Sequence, residues 1–134
     1  FIPQGQSAVS SLTVLQNVLL PYSLYGESAG REKAAMELLH QFDIDTLASV
    51  HPSELSGGEL RRMAIARALM KKPEIVFADE PTGDLDDENT GIVLSLLKET
   101  AEQGAAVFLV THETMPKGYA DRSLGMSDGT VTEL

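Results

Sequence analysis

Apolar positions recur along this chain with a changing period, and each change predicts an element. Over 12–25, Leu12, Leu15, Val18 and Leu19 share one helical face, Thr13 is placed to cap the start, and Pro21 to end or kink the helix. Over 30–42, Ala34, Ala35, Leu38, Leu39 and Phe42 form a second apolar face opposite charged residues. A loop at 49–54 closes this helical layer. The next helix, Gly58 to about Met70, is apolar nearly all round apart from Arg61, Arg62 and Arg67, the pattern of a largely buried helix. Lys71-Lys72-Pro73 ends it with cations at the negative end of its dipole. Two apolar runs without alternation follow, Ile75 to Ala78 and Val107 to Val110, separated by a helix carrying Ile92, Val93, Leu96, Leu97 and Ala101. Such runs joined by a helix predict a parallel β–α–β unit buried on both faces. At the end, Ser123 to Ser127, an Asp128-Gly129 turn and Val131 predict a hairpin.

No repeat, low-complexity stretch or linker interrupts the 134 residues, so the expectation is one α/β unit, with a helical part over about 5–57 set into a core over about 58–134. No apolar run approaches the roughly 20 residues that a membrane span needs. The absence of cysteine removes disulfide and thiolate chemistry and fits a cytoplasmic setting. The net charge of −10 is uneven: residues 1–72 balance seven Lys/Arg against seven Asp/Glu, whereas 73–134 hold three against thirteen. A nucleic-acid binder would show a net basic face, so that class is disfavoured.

Two places carry candidate chemistry. Ser56-Gly57-Gly58 opens a helix, and backbone N–H groups at such a mouth can bind an anion. Ser56 and Glu59 also fit a capping box, a purely structural role. The run Ile75 to Ala78 stops at Asp79-Glu80, and Val107 to Val110 at Thr111-His112. Ligands of open parallel sheets bind beyond such strand ends. Adjacent carboxylates repel, so this pair favours a bound cation or a raised pKa, and a metal ligand beside a general base suits nucleoside triphosphate hydrolysis. Asp86, with Asp87 and Glu88 after it, fits the cap and first turn of the following helix.

These segments, in this order, resemble the ATP-binding-cassette (ABC) ATPases. Gln4 in Phe1-Ile2-Pro3-Gln4 resembles the Q-loop, Leu55 to Glu59 the signature motif, and Ile75 to Glu80 the Walker B strand with its catalytic glutamate. Gly83-Asp84-Leu85-Asp86 resembles the D-loop and His112 the switch histidine. The resemblance implies a P-loop NTPase (RecA-like) parallel-sheet core with an inserted helical subdomain, ATP as substrate and Mg²⁺ as cofactor. It implies Asp79 and Gln4 at the metal, Glu80 polarising the attacking water, and His112 sensing the γ-phosphate. Ser56, Gly57, Gly58 and Asp86 would meet nucleotide, the signature serving ATP held by a second ATPase subunit. A transmembrane permease would dock over Gln4 to Gly26, placing the protein on the inner face of the cell membrane. Ala78 to Gly83, Leu12-Thr13-Val14 and Asn17-Val18 most resemble the macrolide-efflux and lipoprotein-release branch.

Glu59 stands where many relatives have glutamine. None of the 11 glycines precedes lysine, so the phosphate loop (Walker A) G-x-x-x-x-G-K-[ST] is absent. The expectation is that these residues are the C-terminal part of a longer ATPase domain, inactive alone. Two rivals stay open: a soluble ABC-type ATPase without a permease, and a non-catalytic interaction module.

Overall fold

The computed structural model describes residues 1–5 and 7–134. Gln6, within the expected permease-docking stretch, lies outside the described residues. Helices α1 (Val14–Ser23), α2 (Glu32–Gln41) and α3 (Gly57–Leu69) come first, followed by β1 (Ile75–Asp79), α4 (Asp87–Glu102) and β2 (Ala106–Val110), and then the hairpin β3 (Leu124–Ser127) and β4 (Thr130–Glu133).

Local signals explain most of these boundaries. Thr13 caps α1 and forms a reciprocal box with Gln16. Pro21 neither ends nor breaks that helix, which continues to Ser23. So near the C-terminus the missing N–H costs one hydrogen bond, and Leu24 N–H still donates to the Leu20 carbonyl at 3.1 Å. Asn17, fully buried on α1, accepts from Val9 N–H and donates to the carbonyls of Val9, Leu12 and Thr13, fixing the entry loop. Ala34, expected on the apolar face of α2, is exposed, while Ala35 and Leu39 are buried. Beyond α3, Lys71 lies between the rings of Tyr22 and Tyr25, 4.9 and 4.6 Å from their centroids, so it joins two helix ends in addition to meeting a dipole.

Met63, Ala64, Ile65 and Ala66 are consecutive buried residues of α3, which explains its lack of a polar face. Met63, Ile65 and Ala66 pack in one cluster with Val14 and Val18 of α1, Leu39 of α2, Val76 and Ala78 of β1, and Val93 and Leu97 of α4. The helical part and the sheet therefore share a core. β1 and β2 are parallel, with Ile75 opposite Ala106 and Asp79 opposite Val110; Ile2 bridges Ala78 on the other side of β1. Asp128 and Gly129 both have positive φ at the hairpin tip, as a two-residue turn of this kind requires.

The strands are not buried on both faces, contrary to the expectation from their unalternating sequence. Val76 and Ala78 face the core, whereas Phe77 is 52% and Phe108 54% exposed, stacked at a centroid distance of 5.3 Å. Ile75 and Val110 are exposed on the same terms. An unalternating run records apolar surroundings on two sides, and among the described residues only one side is covered.

Candidate active site

The register that pairs Asp79 with Val110 delivers the residues following both strands to one place. Glu80 N–H donates to the Val110 carbonyl at 2.9 Å, and Glu80 itself has φ +44°. That left-handed conformation costs a side-chain-bearing residue about 1–2 kcal/mol, and such strain concentrates at functional positions. It turns the carboxylate toward the end of β2. There Thr111 Oγ1 donates to Glu80 Oε2 at 2.9 Å, and His112 N–H donates to Oε1 at 3.1 Å. His112 Nδ1 lies 2.7 Å from the same Oε1.

The geometry sets opposite pKa shifts. The hydrogen bond from His112, with Thr111 adding to it, holds the Glu80 carboxyl below its ordinary value. The same bond, and the charge of Glu80, raise His112 above its ordinary value. The carboxylate is therefore an ionised acceptor: of the two outcomes expected for adjacent carboxylates, a bound cation or a raised pKa, Glu80 does not show the second, because the bonds from His112 and Thr111 favour its charged form. The Glu80 side chain is 15% exposed and that of His112 82%, so the histidine is the partner free to move.

Ser56 to Gly58 form a separate mouth. Ser56 N–H donates to Glu59 Oε2 at 2.8 Å, and Glu59 N–H donates to Ser56 Oγ at 3.3 Å, so the capping box is real and Glu59 is occupied by it. Ser56 and Gly57 are exposed, whereas Gly58 is buried. A Cβ on Gly58 would overlap the Asn89 amide, while one on Gly57 would make ordinary contact with Leu85. The second glycine thus serves close packing of α3 on α4, and the first leaves the helix mouth open. Asn89 is itself held by Asp86, whose Oδ1 accepts from Asn89 N–H at 2.8 Å and Asn89 Nδ2 at 2.9 Å. Those bonds lower the Asp86 pKa and match the capping role.

Gln4 is exposed, at the same end of the sheet as half-buried Asp79, whose N–H donates to the Ile2 carbonyl at 2.9 Å. Among the described residues no group of three or more His, Asp or Glu is arranged to hold a metal. One carboxylate and one amide oxygen fit a hard cation that keeps several waters, as Mg²⁺ does, and do not fit a metal needing a full protein cage. Arg61, one of the three arginines that interrupt the apolar surface of α3, donates to the Pro3 carbonyl at 3.1 Å; Arg67 donates to the Ser7 carbonyl at 2.8 Å. Burial lowers the pKa of both, and both bonds hold the segment around Gln4 against α3. Sequence reasoning also gave no role to Thr82, Asn89 and Glu113. A Thr two residues before Glu at a strand end is the available signal for the last, since such a hydroxyl accepts from the backbone two residues on.

Residues 1–83 match the family model described as ABC transporter. An uncharacterised ABC transporter ATP-binding protein of Methanocaldococcus jannaschii is 40% identical, over 100% of this chain and 60% of its own length. The lipoprotein-releasing system ATP-binding protein of Syntrophotalea carbinolica is 40% identical over 98% of this chain and 59% of its length. The macrolide export ATP-binding/permease protein of Chlorobaculum tepidum is 37% identical over 99% of this chain and 20% of its length. The chain thus spans about three fifths or less of these relatives. A dimeric bacterial ABC transporter cassette superposes with a TM-score of 0.85 at 35% identity, over 99% of this chain and 61% of that one. A post-hydrolysis form of that cassette, bound to ADP and Pi, superposes at 0.79 with 30% identity. With the parallel β–α–β unit, the motif order and these likenesses agreeing, the chain belongs to the ABC transporter family and has the α/β fold of its ATPase cassettes.

Proposed function

We propose that this chain is the portion of an ABC transporter's ATPase subunit that supplies the general base, the switch histidine and the signature helix, while an upstream phosphate loop completes the domain. The observation that carries the reading is Glu80, strained at the end of β1 and held by Thr111 and His112. A carboxylate offers about four lone-pair positions, and three are taken here, leaving one on Oε2 to accept from water. Glu80 then orients the water that attacks the terminal phosphorus of ATP and accepts its proton as the new P–O bond forms and ADP leaves. His112, released from Oε1, can donate to a γ-phosphate oxygen while Thr111 keeps the carboxylate in place. Asp79 and Gln4 would hold Mg²⁺, which supplies charge neutralisation on the phosphates.

Ser56 and Gly57 are exposed at the mouth of α3, and none of the hydrogen bonds that hold Glu80 comes from this mouth, which supports service to nucleotide on a second subunit. The lipoprotein-release and macrolide-export relatives support a permease partner, and the stretch from Gln4 to Gly26 is its proposed dock at the inner face of the membrane. No helix among the described residues is long and apolar enough to cross a membrane. The test mixes two variants of the intact ATPase, Ser56→Arg and Glu80→Gln. In a mixed dimer with trans signatures, one site has both native residues and the other has both defects. Each variant alone should be inactive, and an equimolar mixture should recover up to about a quarter of the native sites, since half the dimers are mixed. Mixed dimers that form without recovering activity would contradict the trans arrangement.

A further inference from the structure

Glu80 belongs to a closed ring of contacts, of which the scheme above uses only the bond from Thr111. Thr82 is fully buried, and its Oγ1 donates to Glu113 Oε2 at 2.7 Å, across 31 residues of chain. Glu113 N–H donates to Thr111 Oγ1 at 3.1 Å. With that lone pair engaged, the Thr111 proton is directed to Glu80 Oε2 at 2.9 Å. Glu80 precedes Thr82 by two residues and Thr111 precedes Glu113 by two, so the ring joins the turn after β1 to the turn after β2. It also reaches the segment leading to Asp86, because Leu85 N–H donates to the Thr82 carbonyl at 3.1 Å.

We propose that Glu113 is a positioning residue for the hydrolytic site, which clamps the His112 turn to Thr82 and thereby aims the Thr111 hydroxyl at Glu80. This rests on the reading of Glu80 as general base. Glu113 acts through its acceptor oxygen and its backbone N–H and touches no substrate. Its charge is a separate property, contributing to the raised pKa of His112, and the two are separable by substitution.

The experiment measures steady-state ATP turnover of the intact ATPase carrying Glu113→Ala, Glu113→Gln, Thr82→Val or Thr82→Ser, with Glu80→Gln alongside and thermal melts to verify folding. Losing the clamp displaces the carboxylate without removing a nucleotide contact. Glu113→Ala and Thr82→Val should therefore each lower kcat by roughly 10–100-fold with little change in KM for ATP. Glu113→Gln keeps an acceptor and Thr82→Ser a donor, and both should restore most of kcat. The double variant Thr82→Val/Glu113→Ala should be no slower than the slower single, because the two form one contact. A folded Glu113→Ala enzyme with native kcat overturns the proposal, as does Glu113→Gln falling as far as Glu113→Ala, which would make charge the cause. Should Glu80→Gln itself keep native turnover, the general-base reading fails and the ring has nothing to position; an inactive Glu80→Gln beside an active Glu113→Ala removes the ring alone.

Discussion

Gly58→Ala separates the two uses of glycine at the signature helix. The added Cβ would overlap the Asn89 amide, while the backbone φ is compatible with alanine, so the whole penalty lies in that one neighbour. Overpacking of this kind costs about 1–3 kcal/mol. Asn89 can relieve it by swinging away, which gives up the 2.9 Å bond from its Nδ2 to Asp86, worth roughly 1 kcal/mol at this exposed position. Alanine regains up to about 1 kcal/mol of helix propensity, less in a first turn. The net expectation is a loss of about 1–2 kcal/mol, or roughly 3–8 °C in melting temperature for a protein of this size. Gly57→Ala meets only ordinary contact with Leu85 and should be neutral or slightly stabilising. In an Asn89→Ala background the obstacle is gone, and Gly58→Ala should cost nothing. Urea denaturation of the four variants closes the cycle. If Gly58→Ala matches the native protein in stability, or costs the same with and without Asn89, the packing explanation is refuted.

Two further outcomes follow from the strand ends. Because His112 is raised above its ordinary 6.5 and Glu80 lowered below its ordinary 4.5, their attraction is complete between those two values; it fades as pH rises through the raised His112 pKa, or falls through the lowered Glu80 pKa. An NMR titration of the His112 ring should show its pKa moving down toward the ordinary value in Glu80→Gln, and an unchanged titration would contradict the contact. Asp79→Asn should raise the Mg²⁺ concentration needed for half-maximal ATP hydrolysis by the intact ATPase, and an identical Mg²⁺ titration would remove Asp79 from the metal's surroundings.

Much of this was legible in the sequence because the signals were local. The Thr13 and Ser56 caps and the Asp128-Gly129 turn each rest on residues within a few positions of one another and formed as expected, and the β–α–β unit formed with its parallel pairing, though covered on one face only. The meeting of the two strand ends in the candidate site was legible for a similar reason, since Asp79-Glu80 and Thr111-His112 interrupt apolar runs. Hidden were the contacts between distant segments. Nothing near Thr82 announces that its hydroxyl meets Glu113, or near Gly58 that Asn89 stands where a side chain would go. The lowered Glu80 pKa could not be read from the adjacent Asp79-Glu80 pair, because its leading cause, the hydrogen bond from His112, is brought in only by strand pairing. The exposed Phe77 and Phe108 mark the opposite limit: an apolar run reports the surroundings its residues suit, and it cannot tell which segment provides them.

The most direct test of the central claim is a single-turnover measurement on the intact ATPase, with radiolabelled Mg-ATP bound to native and Glu80→Gln protein and the ADP formed followed after acid quench. The expected result is near-native ATP affinity with conversion slowed by roughly 10²–10⁴, the scale of a lost general base. Conversion of bound ATP at the native rate by Glu80→Gln would show that the carboxylate at the end of β1 does not activate the water.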